Sequence, residues 1–548
     1  MENIVVVDAV STGYNLVEDV IHYGYHPVVI NMTSFGSVWL EKNKTFRPML
    51  EGKCDFIDEQ PVYEDTLRMV KDVRPKVVLA GSEAGVELAT KLAEDLHLPG
   101  NPTSILPQMK EKAAMHEAVR KYGIRSIRGK IIHNVEEAAE FYDELGVKRV
   151  VVKLNMGDAS VGVRICSSKA QTVQAVKDAF QTGIDHYDRP LKVMLIQEMI
   201  EGTEYIVNVA VCNGRIRLTS VYRYKKQEYP DGRKIYRYTE SINELGVEQI
   251  ELIRYAYSVV KAIGIKYGCV HGEFMVDEKG PVLIEVNCRP MGGGMHADFA
   301  DLLNGQHETD SHLMCYLDPE KFAEEARKPY RTNCKLVLKH MMSTADQDLY
   351  SSPILAIAPH LKSYHNATLK NVAIGHLTKT ADLSTEVGTI YLAHPDTRVI
   401  MRETELLCLM EDSYPEMLYQ DKPIPDMQPP EKDSRTGLAE IADVLGFGDR
   451  YTVIDMDENK GQKIVNKPDY YDNVILDSTL NSWTVEDSIG FVFDLVKSMK
   501  KGSSLVITSK LHNMYKLGIE RCVAAMQFAG LTIEAPLPDY PDLLIGTV

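Results

Sequence analysis

The segment "VHGEFMVDEKGPVLIEVNCRPMGGG", from Val270 to Gly294, constrains the fold more strongly than any other part of the chain. Two apolar, β-branched runs flank a turn, and this pattern predicts a β-hairpin. Both predicted strands nevertheless carry a glutamate, Glu273 in the first and Glu285 in the second. Like charges directly opposite each other destabilise a sheet, so the pair needs a physical reason.

The length of the turn decides how the two strands are paired. We expect a three-residue turn at 278–280, with Gly280 in the left-handed conformation that such loops need. This turn places Asp277 opposite Pro281. The pairing of all residues further along the strands follows from that position.

Counting back from the turn places Glu273 opposite Glu285, with Cβ atoms about 5 Å apart. His271 and Asn287 then lie opposite each other on the same face. The other face is expected to be apolar and packed, with Gly272, Phe274, Ile284 and Val286. One face of the hairpin therefore presents two carboxylates, an amide and an imidazole.

The paired glutamates have a metal-binding explanation and several ordinary ones. The acids can lie on a solvated face, a lysine can neutralise them, and a longer turn would move them out of direct opposition. Mg²⁺, however, takes oxygen ligands and typically uses one or two carboxylates plus substrate phosphates. "NCRPMGGG" follows at once, and consecutive glycines suit close approach of the backbone to a ligand. We therefore favour a magnesium site.

The chain of 548 residues is too long for one core and predicts several domains. The first hundred residues alternate strands and helices ("NIVVVDA", "YNLVEDVIHYGY", "HPVVINM"), which predicts a parallel sheet with helices on both faces. "DAVSTGY" after the first strand could hold a phosphate, but a lone Gly13 favours a plain βα turn. Strand–helix alternation returns after the proline-rich linker 421–434.

Composition excludes some classes of function. A net charge of −17 argues against a general affinity for nucleic acid or an anionic membrane. The nine cysteines are scattered, without a CxxC or Cys/His cluster, and indicate free thiols in a reducing cytosol rather than disulfides or zinc. No apolar run is long enough to span a bilayer. We therefore expect a cytoplasmic protein.

The hairpin motif, Glu273 followed by Glu285-x-Asn287-x-Arg289, resembles the magnesium-binding signature of the ATP-grasp carboxylate–amine ligases. "EKAAM", "VVVK", "GDASVG" and "QEMIEGTEY" resemble further elements of that family, in the family's order. "AGSEAGVELATKLAEDLHLPGN" is similar to the N-terminal domain of the branch that contains bacterial L-amino-acid (dipeptide) ligases. The resemblance covers about residues 1–410, and the order of its elements makes it specific.

The resemblance implies a role for each matched residue. The catalytic residues would be Arg289 and Lys153. The metal ligands would be Glu273, Glu285 and Asn287. The nucleotide would be bound at its phosphates by Lys112, Lys153, Gly157 and Ser160, at its adenine by Gln197, Glu198 and Ile200, and at its ribose by Glu204.

Some of these residues also have ordinary explanations. Lys153 ends the apolar run "VVVK", where a buried cation needs an anion, but a lysine can simply emerge at a strand end. Lys112 lies in a helix rich in charge, as expected of a solvated face. The stretch "LIQEMIEG", which would hold the adenine, is by itself only a strand.

The implied fold is a multidomain α/β and α+β protein. A Rossmann-like pre-ATP-grasp domain is expected at 1–104, an ATP-grasp domain at 105–420 and a Rossmann-like α/β domain at 435–548. Within the ATP-grasp domain we expect a mobile lid subdomain at about 128–205 and a C-lobe at about 206–420. The last domain resembles the second half of a class I methyltransferase, but no glycine-rich SAM-binding turn is evident. We interpret it as a shortened, non-catalytic domain for packing, dimerisation or partner docking.

The resemblance implies an enzyme that uses ATP with Mg²⁺, or Mn²⁺ in its place. A carboxylate, expected to belong to an amino acid, becomes an acyl phosphate, and an amine then displaces phosphate to form an amide or peptide bond. Two alternatives stay open: loading of an amino acid onto a carrier-protein thiol, and nucleotide binding without chemistry. The expected partners are small molecules, a carrier protein in the second case and a second copy of the chain in a homodimer, but neither nucleic acid nor membrane.

The segment from Tyr222 to Glu240, "YRYKKQEYPDGRKIYRYTE", is rich in aromatic and basic residues. It either lines the substrate pocket or forms a charged surface hairpin. In the first case Arg223, Lys226 or Arg237 would pair with a substrate carboxylate. The sequence leaves both interpretations open.

Overall fold

The computed structural model describes residues 1–34, 37–157, 162–185, 187–229, 234–369, 375–383, 385–413, 415, 418–419, 438–454, 467–477, 485–508, 523, 525–535 and 543–548. Two compact units divide the chain. The first comprises Met1–Leu336 with residues 382–384, and the second comprises Val337–Ala381 with Thr385–Val548. Ser160 and the linker 421–434, both named in the sequence-based expectations, lie outside the described residues.

The α-helices within the described residues are α1 Asn15–His22, α2 Ser37–Leu50, α3 Tyr63–Val73, α4 Gly85–Asp95, α5 Leu106–Lys110, α6 Lys112–Lys121, α7 Val135–Leu145, α8 Lys169–Thr182, α9 Val247–Ile263, α10 Ala297–Asn304, α11 Glu308–Leu317, α12 Pro319–Glu325, α13 Ile354–Ile357, α14 Thr397–Ser413, α15 Leu438–Val444 and α16 Val485–Lys497. Short 3-10 helices lie at Ser11–Tyr14, Thr103–Ile105 and Ala358–His360.

The strands within the described residues are β1 Asn3–Val7, β2 His26–Asn31, β3 Asp55–Asp58, β4 Pro75–Ala80, β5 Gly129–Ile132, β6 Val150–Lys153, β7 Arg164–Cys166, β8 Met194–Glu198, β9 Thr203–Cys212, β10 Arg215–Glu228, β11 Lys234–Ser241, β12 Tyr267–Asp277, β13 Gly280–Asn287, β14 Lys335–Met341, β15 Gln347–Asp348, β16 Tyr364–Leu369, β17 His376–Leu377, β18 Gly388–His394, β19 Tyr451–Ile454, β20 Asn473–Leu476, β21 Ser504–Ile507, β22 Thr532–Ile533 and β23 Leu544–Thr547.

The first unit begins with a parallel sheet in the order β3-β2-β1-β4. Successive side chains of a strand point to opposite faces, so both faces of "NIVVV" in β1 need cover. Val5 and Val7 pack in one apolar cluster with residues of α4, whereas Ile4 and Val6 pack in another with residues of α1. The parallel sheet expected from strand–helix alternation is thus confirmed, with a helix on each face.

A second sheet in this unit is antiparallel, in the order β5-β8-β6-β7. Helices α7 and α8 pack with it around their own apolar cluster. The side chain of Asn134 caps α7 by accepting the Glu137 N–H, and Ser168 caps α8 by accepting the Gln171 N–H. This sheet has its own core and carries Lys153 at the end of β6.

The third group of strands in the unit runs in the order β13-β12-β9-β10-β11, and β9 pairs antiparallel with both neighbours. Tyr205 and Val207 of β9 point into the core, together with apolar residues of α9. The alternate residues of β9 therefore lie on the opposite face, and Asn208 stands beside His271 there. This second face carries the polar residues of the candidate site.

The hairpin β12–β13 confirms the expected opposition of Glu273 and Glu285, but the expected turn is wrong. Asp277 pairs with Gly280 rather than Pro281, so the turn is one residue shorter than expected. A β-bulge after Glu273 restores the register, because Ile284 is an extra residue opposite no partner. Ile284 is only half-buried for this reason, whereas we expected it on the packed face. Gly280 has the left-handed conformation that was expected, with φ of 89°.

The second unit contains three strands in the order β14-β18-β16 and a five-stranded sheet in the order β19-β20-β21-β23-β22. Strands β19, β20 and β21 are parallel, and β23 is antiparallel to both β21 and β22. The resemblance of this last sheet to part of a methyltransferase stays a prediction. No helix among the described residues is long and apolar enough to cross a membrane.

Candidate active site

The opposed glutamates of β12 and β13 form the centre of the candidate site. Glu285 Oε2 forms an ion pair of 2.6 Å with the ammonium of Lys112. Asn287 Nδ2 lies 3.5 Å from Glu285 Oε1, and His271 pairs with Asn287 across the hairpin as expected. The structure thus places all three predicted metal ligands side by side on one face, with a cation next to one carboxylate.

Lys112 is held in place by both its backbone and its side chain. It is the first residue of α6, its N–H donates to the Asn155 carbonyl at 3.0 Å, and its Nζ donates to the Gly157 carbonyl at 2.9 Å. Burial disfavours its charge, but attraction by Glu285 outweighs burial and raises the pKa of Lys112 above its ordinary value. Lys112 is therefore a buried cation and does not belong to a solvated helix face.

Lys153 is the second buried cation of the site. It ends β6, pairs with Leu195 of β8, and is 7% exposed. Burial and repulsion by Lys112 lower the pKa of Lys153 to about 8, although Glu285 and Glu273 oppose the shift. The charges of both glutamates oppose the fall of the pKa of Lys153, and its side chain is buried. It does not simply emerge from a strand end into solvent.

Glu273 is surrounded by hydrogen-bond donors. His271 Nε2 lies 3.3 Å from Glu273 Oε1, and the Tyr224 hydroxyl donates to the same oxygen at 3.4 Å. Burial opposes ionisation, but the hydrogen bond from His271 and nearby cations lower the pKa of Glu273 below its ordinary value. His271 is positioned by Asn208, whose Oδ1 lies 2.9 Å from His271 Nδ1. Glu273 is therefore a stable carboxylate in a half-buried position.

Glu204, the predicted ribose-binding acid, binds Lys226 through both carboxylate oxygens, at 3.0 and 2.7 Å. The Lys226 ammonium also lies 4.0 Å from the centroid of the Tyr236 ring, a cation–π distance. Burial, together with the negative charge of Glu273, raises the pKa of Glu204, although Lys226 opposes the shift. Sequence reasoning did not find this pairing.

These contacts bear on the open question about the hairpin of β10 and β11, whose pairing with a substrate carboxylate stays a prediction. Tyr224 and Lys226 contact glutamates of the candidate site, whereas Arg223 and Lys225 are exposed. Arg223 bonds to Glu240, and Glu240 also binds Lys335 at 2.5 Å. Alternate residues of β10 thus serve two different purposes, as strand geometry requires. One face of this hairpin lines the site.

The predicted adenine-binding residues lie at the end of β8. Gln197 is 2% exposed and lies between Gly129 of β5 and Val151 of β6. The Glu198 carboxylate accepts hydrogen bonds from the N–H and Nε of Arg128, at 3.0 and 2.9 Å. Both the side chain of Glu198 and its N–H, which donates to the Arg128 carbonyl at 2.9 Å, are therefore occupied. Ile200 follows two residues after the strand ends.

Arg289, the predicted catalytic cation, follows β13 and is 11% exposed at its side chain. Its Nε lies 3.6 Å from Glu83 Oε2, and its Nη1 donates to the Pro290 carbonyl at 3.0 Å. The positive charge of Arg289 also contributes to lowering the pKa of Glu273, so the two groups lie within electrostatic reach. Glu83 was missed by sequence reasoning; it stands in "GSEAG" after β4, where a buried acid has no local signature.

The donor set of the hairpin fits a magnesium ion. Among the residues that the structure describes, no group of three or more His, Cys, Asp or Glu side chains could hold a metal. Two carboxylates and an amide oxygen are nevertheless the partial coordination that Mg²⁺ takes when phosphates complete it. Glu285, which is half-buried, already lies beside one cation, the ammonium of Lys112.

Comparison with known proteins agrees with this geometry. Residues 147–298 match the family described as ATP-grasp domain. Dapdiamide A synthase of Enterobacter agglomerans is 28% identical over 333 residues, which cover 60% of this chain and 76% of the relative. L-amino acid ligase from Bacillus licheniformis has a similar structure, with a TM-score of 0.59 and 15% identity over 74% of this chain and 97% of that one. The biotin carboxylase domain of 2-oxoglutarate carboxylase from Hydrogenobacter thermophilus, in complex with MgADP, gives a TM-score of 0.51 and 17% identity over 75% of this chain and 94% of that one.

These similarities concern the mixed α/β fold and one matched segment of the chain. Residues 147–298 match an ATP-grasp domain, and the relatives support an enzyme that forms C–N bonds and releases ADP, as the sequence predicted. The chain is similar in sequence to a dapdiamide synthase and in fold to an L-amino acid ligase. The matched segment contains the hairpin and the lysine of β6, and it ends shortly after the triple glycine.

Proposed function

We propose that the protein uses ATP to convert the carboxylate of an amino acid into an acyl phosphate and couples it to an amine. The products are an amide or peptide bond, ADP and phosphate. The observation that carries this proposal is the opposition of Glu273 and Glu285 on a buried hairpin, with Lys112 bound beside them. The relatives named for dapdiamide and L-amino acid ligation support an amino acid as the substrate.

In this proposal the nucleotide lies between the sheet β5-β8-β6-β7 and the polar face of the hairpin β12–β13. Lys112 and Lys153 bind its phosphates, since both are buried cations that lie near acids. The backbone of Glu198 and Ile200 faces the adenine, and Gln197 adds a side-chain contact. Glu204 binds the ribose and is oriented by its ion pair with Lys226.

Glu273, Glu285 and Asn287 would hold Mg²⁺, which would offset the negative charge of the phosphates. Arg289 supplies a planar guanidinium next to this site. It stabilises the negative charge that develops on the acyl phosphate and on the tetrahedral adduct formed by the amine. A fixed cation in a buried position performs this role without the cost of reorganising solvent.

Water would hydrolyse an acyl phosphate, so the site must close during the reaction. The antiparallel sheet β5-β8-β6-β7 has its own apolar cluster and carries both Lys153 and the adenine-binding strand. A subdomain with a separate core can move as one body over a bound nucleotide. Gly157 and Gly162 carry no Cβ atom that would block the approach of phosphate oxygens to their N–H groups.

The experiment is a comparison of Glu285→Gln with Glu278→Gln. Both replace a glutamate of the same hairpin, but Glu278 lies exposed in the turn. We expect Glu285→Gln to lower turnover about 100-fold or more, because an amide is a weak magnesium ligand. Glu278→Gln should keep full activity. Turnover that survives in Glu285→Gln, with the protein folded, would show that the metal site is assigned wrongly.

The assay measures ADP and phosphate release with ATP, magnesium and each amino acid, singly and in pairs, with mass spectra of the products. Release that requires an amino acid together with a second amine or amino acid supports the proposal. Release that requires a carrier protein supports thiol loading instead. Tight ATP binding without release for any carboxylate would refute ligase activity.

A further inference from the structure

The segment Met291–Met295, which contains the triple glycine, is held by side chains from two distant parts of the first unit. We propose that the 3-10 helix Ser11–Tyr14 and the start of α1 position this segment for the carboxylate substrate. Ser11, Thr12 and Asn15 are the positioning residues. This inference rests on the proposed function, since it assigns a role in that same active site.

Three hydrogen bonds connect the N-terminal segment to the glycine segment. Ser11 Oγ accepts the Gly294 N–H at 3.0 Å, and Thr12 Oγ1 accepts the Met295 N–H at 3.0 Å. Asn15 Nδ2 donates to the Met295 carbonyl at 2.8 Å. Both the Thr12 and Asn15 bonds are buried. The C-terminal half of the glycine segment is thus fixed at both its N–H and its carbonyl groups.

The N-terminal half of the segment is fixed from another direction. Glu308, the first residue of α11, accepts the Met291 N–H at 2.8 Å. Between these points Gly293 and Gly294 have φ values of 88° and 65°, which only glycine adopts without strain. A chain with this freedom would adopt many conformations, and the bonds at its two ends restrict it to one.

The N-terminal segment itself has an unusual conformation for a plain βα turn. Asp8 and Ser11 have φ values of 63° and 55°, which are unfavourable for residues other than glycine. Gly13 packs against the backbone of Gly81 so closely that a Cβ atom would lie 2.1 Å from the Gly81 carbonyl oxygen. Strain of this kind persists only where the surrounding structure imposes it, and it concentrates at functional sites.

The position of the segment Met291–Met295 explains why its rigidity matters. It begins two residues after Arg289, whose guanidinium faces Glu83 beside the hairpin. A displacement of about 1 Å at a reacting group can cost about 100-fold in rate. The groups assigned to ATP lie on α6, β6, β8 and β9 and in the loop after β6, so a loosened glycine segment should affect the carboxylate substrate and leave ATP binding intact. A merely structural role would affect both substrates alike.

The test compares Thr12→Val with Thr66→Val in the full chain. Both remove a buried threonine hydroxyl that accepts a backbone N–H, but Thr66 accepts the Gln60 N–H at the start of α3, away from the site. Hydrogen exchange of the Met295 amide should become about fivefold faster in Thr12→Val and stay unchanged in Thr66→Val. The conservative change Thr12→Ser should retain slow exchange.

Kinetics then test the positioning role. In Thr12→Val we expect kcat/KM for the amino acid to fall about tenfold while the KM for ATP stays within about twofold. Thr66→Val should keep both values, and Thr12→Ser should restore them. Unchanged exchange at Met295, or equal kinetic losses in Thr12→Val and Thr66→Val, would overturn the inference. Wild-type protein that is inactive with every amino acid would refute the proposed function instead. Hydrogen exchange at Met295 would still test whether Thr12 holds the segment Met291–Met295 in place.

Discussion

Lys153 should make nucleotide binding depend on pH above neutrality. Burial and repulsion by Lys112 lower the pKa of Lys153 to about 8, and attraction by Glu285 and Glu273 does not overcome them. The pKa of Lys112 is raised instead, so its charge persists throughout this range. The two lysines that we assign to the phosphates therefore lose their charge at different pH values.

The size of the effect follows from this pKa. With a pKa of about 8 for Lys153, about 90% of the side chain is charged at pH 7 and about 10% at pH 9. Phosphate oxygens attract only the charged form, and apparent affinity falls in proportion to the competent fraction. The Kd for Mg-ADP should therefore rise about tenfold between pH 7 and pH 9.

Isothermal titration of the full chain with Mg-ADP, from pH 6.5 to pH 9.5, measures this change directly. Lys153→Arg is the matched control, because a guanidinium keeps its charge over the whole range. Its Kd should stay flat with pH, whatever its absolute value. A flat Kd in the wild-type protein, or the same slope in Lys153→Arg, would refute the assignment of Lys153 to the phosphates.

Two further predictions concern stability. His307 lies 2.9 Å from Asp19 and 2.8 Å from Asp301, and although burial opposes its charge, these carboxylates raise the pKa of His307 to about 10. The stabilisation that the charged His307 gives to the fold is therefore fully present below about pH 6.5 and is lost as the pH rises through about 10. Calorimetry at pH 6 should show His307→Gln to be less stable than the wild-type protein by about 2 kcal/mol. A difference in stability that does not shrink by pH 10 would contradict this prediction. Gly280→Ala should lower the free energy of unfolding in urea by about 1 kcal/mol, because φ is 89° at this residue and no atom crowds the added methyl group. An unchanged midpoint of urea unfolding would show that the turn adopts another conformation without loss of stability.

The central hairpin could be predicted because strand geometry is local. A period of two residues places His271 and Glu273 on one face whatever the turn. The expected pairing of Glu273 with Glu285 is correct even though the turn is shorter than expected, because the bulge at Ile284 adds one residue to the same strand. One extra residue in a turn and one in a bulge shift the register equally, so the sequence could not distinguish them.

The partners of the polar residues could not be predicted in the same way. Lys226 reaches Glu204 only because β9 and β10 are neighbours, and their register includes a shift between Leu218 and Ser220. The contact of Thr12 with Met295 joins residues 283 positions apart. Such contacts depend on how separate elements pack, and no pattern along the chain encodes them locally. The resemblance to a known family implied the roles of the site residues, whereas their contacts could be seen only in the structure.

If a nucleotide binds where we propose, its phosphates must compete with Glu285 for Lys112. For Lys112 to reach a phosphate oxygen, it must give up part of its 2.6 Å ion pair with Glu285. A buried carboxylate left without a partner, opposite Glu273, would cost several kcal/mol. If Glu273 and Glu285 hold a divalent cation, as we propose, that cation would remove this cost. Nucleotide and metal would then each favour the binding of the other, because Lys112 cannot pair with a phosphate and with Glu285 equally well at once.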